Sequence, residues 1–263
     1  MESLQVKLSI LQKAIEDKME RIISLGTQTF LDWFSDKSDD EIVDFLIETE
    51  KKSKFDGITF SFRTPDSLDF RFSDKQLRYI SKKQVFMMLP HKNGSEPIIY
   101  GEDDASFALI ARINSVIEKL DSKINIINPK LIRDFSVLLG IKGLSISNLP
   151  YEEGFGIDEL ERIFRIDSKI SLAIDTSYCF SFNKDFLPIL LERFRDRVSC
   201  ILLSDRRDVR NNKSLFECKD LYKFEILRDL DCPVIINSNL KEYEKDVGTL
   251  LKEINTAKKI FGM

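Results

Sequence analysis

Eight short, nearly uninterrupted apolar runs, each separated from the next by a longer stretch of helical periodicity, limit what this chain can fold into. They fall at Arg21–Gly26, Gly57–Phe62, Val85–Leu89, Lys123–Asn128, Leu144–Asn148, Ser171–Asp175, Ser199–Ser204 and Pro233–Asn237. Strands buried on both faces lose the polar alternation of half-exposed ones, and runs such as KINIIN and PVIIN have that character. Strict alternation of such strands with helices implies parallel pairing through right-handed crossovers. Eight units favour a closed barrel over an open doubly wound sheet. No G-x-G-x-x-G follows the first run to suggest a dinucleotide site. The expected fold class is α/β, a single (β/α)8 barrel over residues 21–263. The chain's 263 residues suit that architecture as one unit.

The intervening segments carry helix signals. Ser38 and Glu41 form a capping-box pattern ahead of a helix over Asp39–Lys54. Further helices are expected over Asp104–Leu120, Lys130–Leu139, Ile157–Phe164, Lys184–Phe194, Leu221–Leu230 and Leu240–Ile260, with a short one over Asp74–Lys82. Leu4, Leu8, Leu11 and Ile15 sit at helical spacing. They predict an extra amphipathic N-terminal helix over residues 1–20, which either plugs or flanks the barrel or offers a face to a partner.

Bulk composition excludes some classes. A formal net charge of −4 gives no general attraction to nucleic acid, and no apolar run approaches the roughly 20 residues of a membrane helix. Lys7, Lys13, Glu16, Asp17 and Lys18 interrupt any signal-like apolar segment. The four cysteines include no C-x-x-C pair and read as free thiols in a reducing cytoplasm.

Chemistry in such a barrel lies at the C-terminal ends of the strands. Read in order, those ends are RIISLGTQTF, FDGITF, MLPH, NP, ISNLP, IDTSY, LLSD with LFEC beyond it, and a final Asn237. The series resembles the strand ends of the xylose isomerase-like barrels, the superfamily that includes endonuclease IV (AP endonuclease family 2) and sugar-phosphate isomerases and epimerases. The resemblance implies that barrel fold and a site at the mouth, where family members hold divalent metals with His, Glu and Asp.

The matching positions of this chain are mostly of another chemistry. The third, fourth and fifth strands offer Met88, Asn128 and Ser147. The sixth offers Asp175 and Tyr178, the seventh Leu202, Arg210 and Asn212, and the eighth Asn237. Only Asp175 is a good ligand for a hard cation, and the chain has one histidine, His91. We therefore expect no metal and no cofactor.

His91 and Asp175 are the candidate acid–base pair, each with a competing role as a loop imidazole or a strand-end cap. Asn128, Tyr178 and Asn237 are candidate ligand contacts. Arg206, Arg207, Arg210 and Lys213, with Ser238 and Asn239 at the expected start of the last helix, form a candidate phosphate grip. The expected function is binding of a phosphorylated small molecule or a protein partner without the family's metal chemistry. The alternatives are an isomerase or epimerase with a rebuilt site and an endonuclease IV-like nucleic-acid binder, the latter disfavoured by charge.

Overall fold

Eight parallel strands close on themselves in chain order. In the computed structural model, which describes residues 21–30, 33, 38–148, 156–182, 185–206 and 212–263, these are β1 (Ile23–Gly26), β2 (Gly57–Ser61), β3 (Gln84–Met88), β4 (Ile124–Ile127), β5 (Leu144–Ser147), β6 (Ser171–Asp175), β7 (Val198–Leu203) and β8 (Val234–Ile236). Ile23 pairs with Val234 across the closure, and Ser24 pairs with Gly57 on the other side. This is the (β/α)8 barrel that the alternation implies. The amphipathic segment expected over residues 1–20 lies outside the described residues.

Alternation along each strand sorts the side chains. Ile23, Leu25, Met87, Ile127, Ile146, Leu172, Ile174, Leu203 and Ile236 point out and pack with the surrounding helices in the main core. Phe86, Ile126, Ala173, Cys200, Leu202 and Ile235 form a second, smaller cluster inside the barrel. Continuing inward positions by twos reaches Ser61, Met88, Asn128, Ser147, Asp175 and Asn237 at the upper rim.

The described α-helices are α1 (Asp39–Lys52), α2 (Asp74–Ile80), α3 (Asp104–Leu120), α4 (Ile157–Ile166), α5 (Thr176–Phe182), α6 (Phe186–Phe194) and α7 (Val247–Phe261). The Ser38–Glu41 capping box is present. Asp103 caps α3 by accepting the Ser106 N–H at 2.8 Å.

Three expected helices are corrected. The helix expected over Lys130–Leu139 is two 3-10 turns, Pro129–Leu131 and Phe135–Leu138. The side chains of Asn128 and Asp134 each accept the N–H two residues on, from Lys130 at 2.9 Å and Ser136 at 2.8 Å. These local turns divide the segment. Leu221–Leu230 reduces to a 3-10 helix over Tyr222–Leu227 behind a similar turn at Asp220. The last helix begins at Val247 rather than Leu240. Asp246 caps it, and Asn239 instead starts a turn by accepting the Lys241 N–H at 2.9 Å.

The sequence reading also missed a hairpin between β3 and α3. Lys92–Asn93 pairs antiparallel with Glu96–Pro97 around Gly94, whose φ of 62° suits the first position of a tight two-residue turn. Among the described residues, no helix is long and apolar enough to cross a membrane. All four cysteines are free thiols.

Candidate functional site

The mouth of the barrel is an open cavity of about 570 Å³. Its floor is apolar, from Met88, Ile126 and Leu202, and its walls are polar. Five carboxamides line it: Gln28, Asn128, Asn212, Asn237 and Asn239. Ser61, Ser95, Ser147, Ser238 and Tyr178 add hydroxyls. The charged lining groups are Asp175 on one side, with Arg63 and Lys92 on the other, beside His91.

Eight of the nine rim positions singled out in the sequence meet at this cavity, and the ninth, Arg210, lies outside the described residues. In a closed barrel of eight strands, strands four apart face each other. Asp175 ends β6, opposite β2 and the Arg63 that follows it. Asn237 follows β8, opposite β4 and Asn128. One diameter of the mouth thus carries opposite charges and another carries amides.

Asp175 is buried, 5% exposed, and is built into the backbone around it. Its Oδ1 accepts the Ser177 N–H at 3.0 Å and the Ser177 hydroxyl at 2.5 Å, the contacts of a cap on the first turn of α5. Asn148, fully buried on the neighbouring strand end, accepts the Asp175 N–H at 2.5 Å. It donates to the Asp175 carbonyl at 3.2 Å and to Cys179 Sγ at 3.4 Å. Asp175 therefore has the capping role and still lines the cavity.

His91 follows Pro90 on the loop between β3 and the hairpin. Its N–H and that of Lys92 both donate to the Arg63 carbonyl, at 3.3 and 3.2 Å. Two backbone bonds thus tie the loops after β2 and β3 together and hold Arg63, His91 and Lys92 in one group. The residue is exposed overall, but its ring is partly desolvated in the mouth. That desolvation, then the charges of Lys92 and Arg63, lower the imidazole pKa from its ordinary value, so the ring is neutral at pH 7.

Asn237 is 3% exposed, and its backbone carbonyl accepts from Asn212 Nδ2 at 3.0 Å. Its side-chain Oδ1 is buried and has no partner among the described residues. Asn128 uses its own oxygen on the Lys130 N–H. Tyr178 lines the cavity from α5.

Of the candidate phosphate grip, Ser238 and Asn239 line the cavity. Arg206 and Lys213 are absent from the cavity lining. Their backbones pair instead, Lys213 N–H to the Arg206 carbonyl at 3.1 Å, and close the neck of a loop. Arg207 and Arg210 lie outside the described residues. Ser238 lines the mouth but donates its hydroxyl to Glu253, a wholly buried carboxyl on α7. Ser238 and Asn239 are eight or more residues from the start of α7, so they do not form its N-terminus. Gln28, Arg63, Lys92 and Ser95 are lining residues that the sequence reading missed. The signal for Arg63 and Lys92 was their place just past the ends of β2 and β3.

A divalent cation at this mouth would need several imidazole or carboxylate donors together. Asp175 already serves two protein donors through Oδ1, and His91 feels the charges of Lys92 and Arg63. Among the described residues, no three His, Cys, Asp or Glu side chains converge. The described donors do not fit such a metal.

No family model and no curated protein matches the chain. Solved structures do match. The chain is similar to D-allulose 3-epimerase from Methylomonas sp. at 13% identity and a TM-score of 0.61, covering 91% of this chain and 98% of that one. It is similar to endonuclease IV from Thermus thermophilus at 13% identity and a TM-score of 0.59, covering 92% and 97%. D-psicose 3-epimerase from Clostridium cellulolyticum, with D-tagatose, matches at 12% identity and 0.56, covering 91% and 97%. The chain has the fold of these barrels. At such identities the likeness is one of fold, and the site has to be argued from its own residues.

Proposed function

We propose that the barrel mouth binds a polyhydroxylated small molecule through uncharged hydrogen-bonding groups, without a divalent cation. The observation that carries this reading is the lining of the mouth, where five carboxamides and five hydroxyls stand over an apolar floor. Five carboxamides above an apolar floor suit a carbon skeleton bearing hydroxyls, and the cavity falls within the usual ~300–1,000 Å³ of small-molecule sites. The sugars in the names of the similar epimerases point to the same ligand chemistry. Buried free thiols are in keeping with a cytoplasmic setting.

The test is metal analysis of the purified full chain together with thermal shift against ribitol and other polyols. Substoichiometric metal with stabilisation by a polyol is the expected result. Stoichiometric zinc or manganese, or the absence of any shift at saturating polyol, would overturn the reading.

One observation favours a second reading, a proton-transfer enzyme of the epimerase type. His91, neutral at pH 7, and Asp175 line one cavity. Solvent deuterium entering a bound sugar, and lost in His91→Gln, would support it. The nucleic-acid reading draws on the endonuclease IV likeness and the arginine-rich loop after β7, against a net charge of −4.

A further inference from the structure

We infer that the ligand carries a compact oxyanion, and that Arg63 and Lys92 hold this group at the edge of the mouth above β2 and β3. The inference deepens the polyol-site reading and rests on it. It moves the anion end across the barrel from the arginine-rich loop after β7, to which the sequence pointed.

Three observations carry it. First, Arg63 and Lys92 both line the cavity, and no ion pair engages either of them among the described residues. Second, the two are held together by the backbone, because the Arg63 carbonyl accepts the Lys92 N–H at 3.2 Å. The hairpin that begins at Lys92 turns sharply at Gly94 and brings Ser95 to the same cavity. Third, the only carboxylate among the described lining residues, Asp175, ends the strand opposite β2.

An anion placed at Asp175 would be repelled, whereas one placed at Arg63 and Lys92 is attracted and lies as far from Asp175 as the mouth allows. Arg63 can grip two oxygens through its planar fork, and Lys92 adds a point charge beside it. The polyol skeleton then runs across the mouth between Asn128 and Asn237, with its hydroxyl end toward Asp175. Phosphate monoesters and sugar carboxylates share this chemistry.

The chain contains a single histidine, next to both cations, so its ring protons report the subsite without assignment. The experiment follows the His91 proton NMR titration and Kd for ribitol, ribonate, ribose 5-phosphate and inorganic phosphate, on the full chain and on three variants. These are Arg63→Ala with Lys92→Ala, Arg206→Ala with Arg207→Ala, and the conservative Arg63→Lys.

An anionic probe should bind at least about tenfold more tightly than ribitol, as expected for a charge-assisted bidentate contact, and should raise the His91 pKa. The Arg63–Lys92 double variant should abolish that preference while still binding ribitol. Arg63→Lys should keep part of it, and the Arg206–Arg207 variant all of it. The better of the two organic anions identifies phosphate or carboxylate as the natural group. Equal affinity for ribitol and the anions, or an anion preference lost only in the Arg206–Arg207 variant, overturns this inference and leaves the polyol site standing. No measurable binding of any of the four probes overturns both.

Discussion

Glu253, wholly buried on α7, accepts the hydroxyl proton of Ser238 just past the end of β8. The same carboxyl accepts the Leu215 N–H at 2.9 and 3.0 Å and the Phe216 N–H at 3.3 Å. One side chain therefore pins the strand end that lines the mouth to the loop following β7. Burial pushes its pKa up to about 7, against the pull of these hydrogen bonds. In the unfolded chain the carboxyl ionises near 4.5. Between those two values the folded chain keeps a proton that the unfolded chain has lost, so stability falls as pH rises through the window and levels off above it. The full effect is about 3 kcal/mol. Glu253→Gln can still accept from Leu215 and Phe216 and can donate to Ser238. It should remove this slope and match or exceed the parent Tm at pH 8. Glu253→Ala strands the donors and should cost about 1–3 kcal/mol for each one left unpaired. Melting curves from pH 4.5 to 8 check both, and parallel curves for parent and Gln variant would refute the assignment.

Asn148 supports Asp175 in a similar way, from a neighbouring strand. It occupies both the N–H and the carbonyl of Asp175, at 2.5 and 3.2 Å, where the β5–β6 ladder has run out. Asn148→Ala should therefore be among the costliest polar truncations in the chain, about 2–5 kcal/mol from two stranded backbone groups in a dry site. Denaturant unfolding would measure it, and a change below about 1 kcal/mol would show that water takes over both bonds.

The barrel was legible because each strand is an apolar run with both faces buried. Ser171–Asp175 and Asp104–Leu120 come out with the expected ends, and the remaining strands shift by only a residue or two. Segments fixed by a single side chain were not legible. Nothing in the periodicity of Lys130–Leu139 shows that Asn128 and Asp134 will each take a backbone N–H and cut the helix into two turns. Rim residues on strands, such as Asn128, Asp175 and Asn237, could be found by counting inward positions. Arg63 and Lys92 were missed although they lie just past the ends of β2 and β3, and Ser95 depends on a hairpin after β3. The Asn93–Gly94 dipeptide was the available clue to that hairpin. The arginine-rich loop drew attention through composition, although its described cations, Arg206 and Lys213, do not line the cavity.

Gly143 has a φ of 62°, and a Cβ there would sit 2.2 Å from the Lys123 carbonyl oxygen. Left-handed backbone and a backbone clash act together, and neither can relax without moving the entry to β4 or β5. Gly143→Ala should cost more than the roughly 1 kcal/mol of an ordinary left-handed substitution, and about 2–4 kcal/mol is expected. Gly140, where an added Cβ would meet nothing within 4 Å, is the control and should tolerate alanine. Equal Tm values for the two variants would mean that the turn before β5 can rearrange.

Asp175 has two duties that substitution can separate. Asparagine can keep the cap, because its side-chain oxygen can accept from the Ser177 N–H as the carboxylate does. Alanine cannot. Asp175→Ala should lose about 1–2 kcal/mol of stability, and Asp175→Asn much less. If the carboxylate also accepts ligand hydroxyls across the mouth, the Asn variant should weaken ribitol binding by about tenfold at nearly unchanged Tm, since hydrogen bonds to a charged group contribute about 1.5–3 kcal/mol. Calorimetric titration on the two variants, beside their melting curves, separates these duties. An Asp175→Asn protein that binds ribitol as well as the parent would leave Asp175 as a cap alone and place the hydroxyl contacts on the amides of β4 and β8.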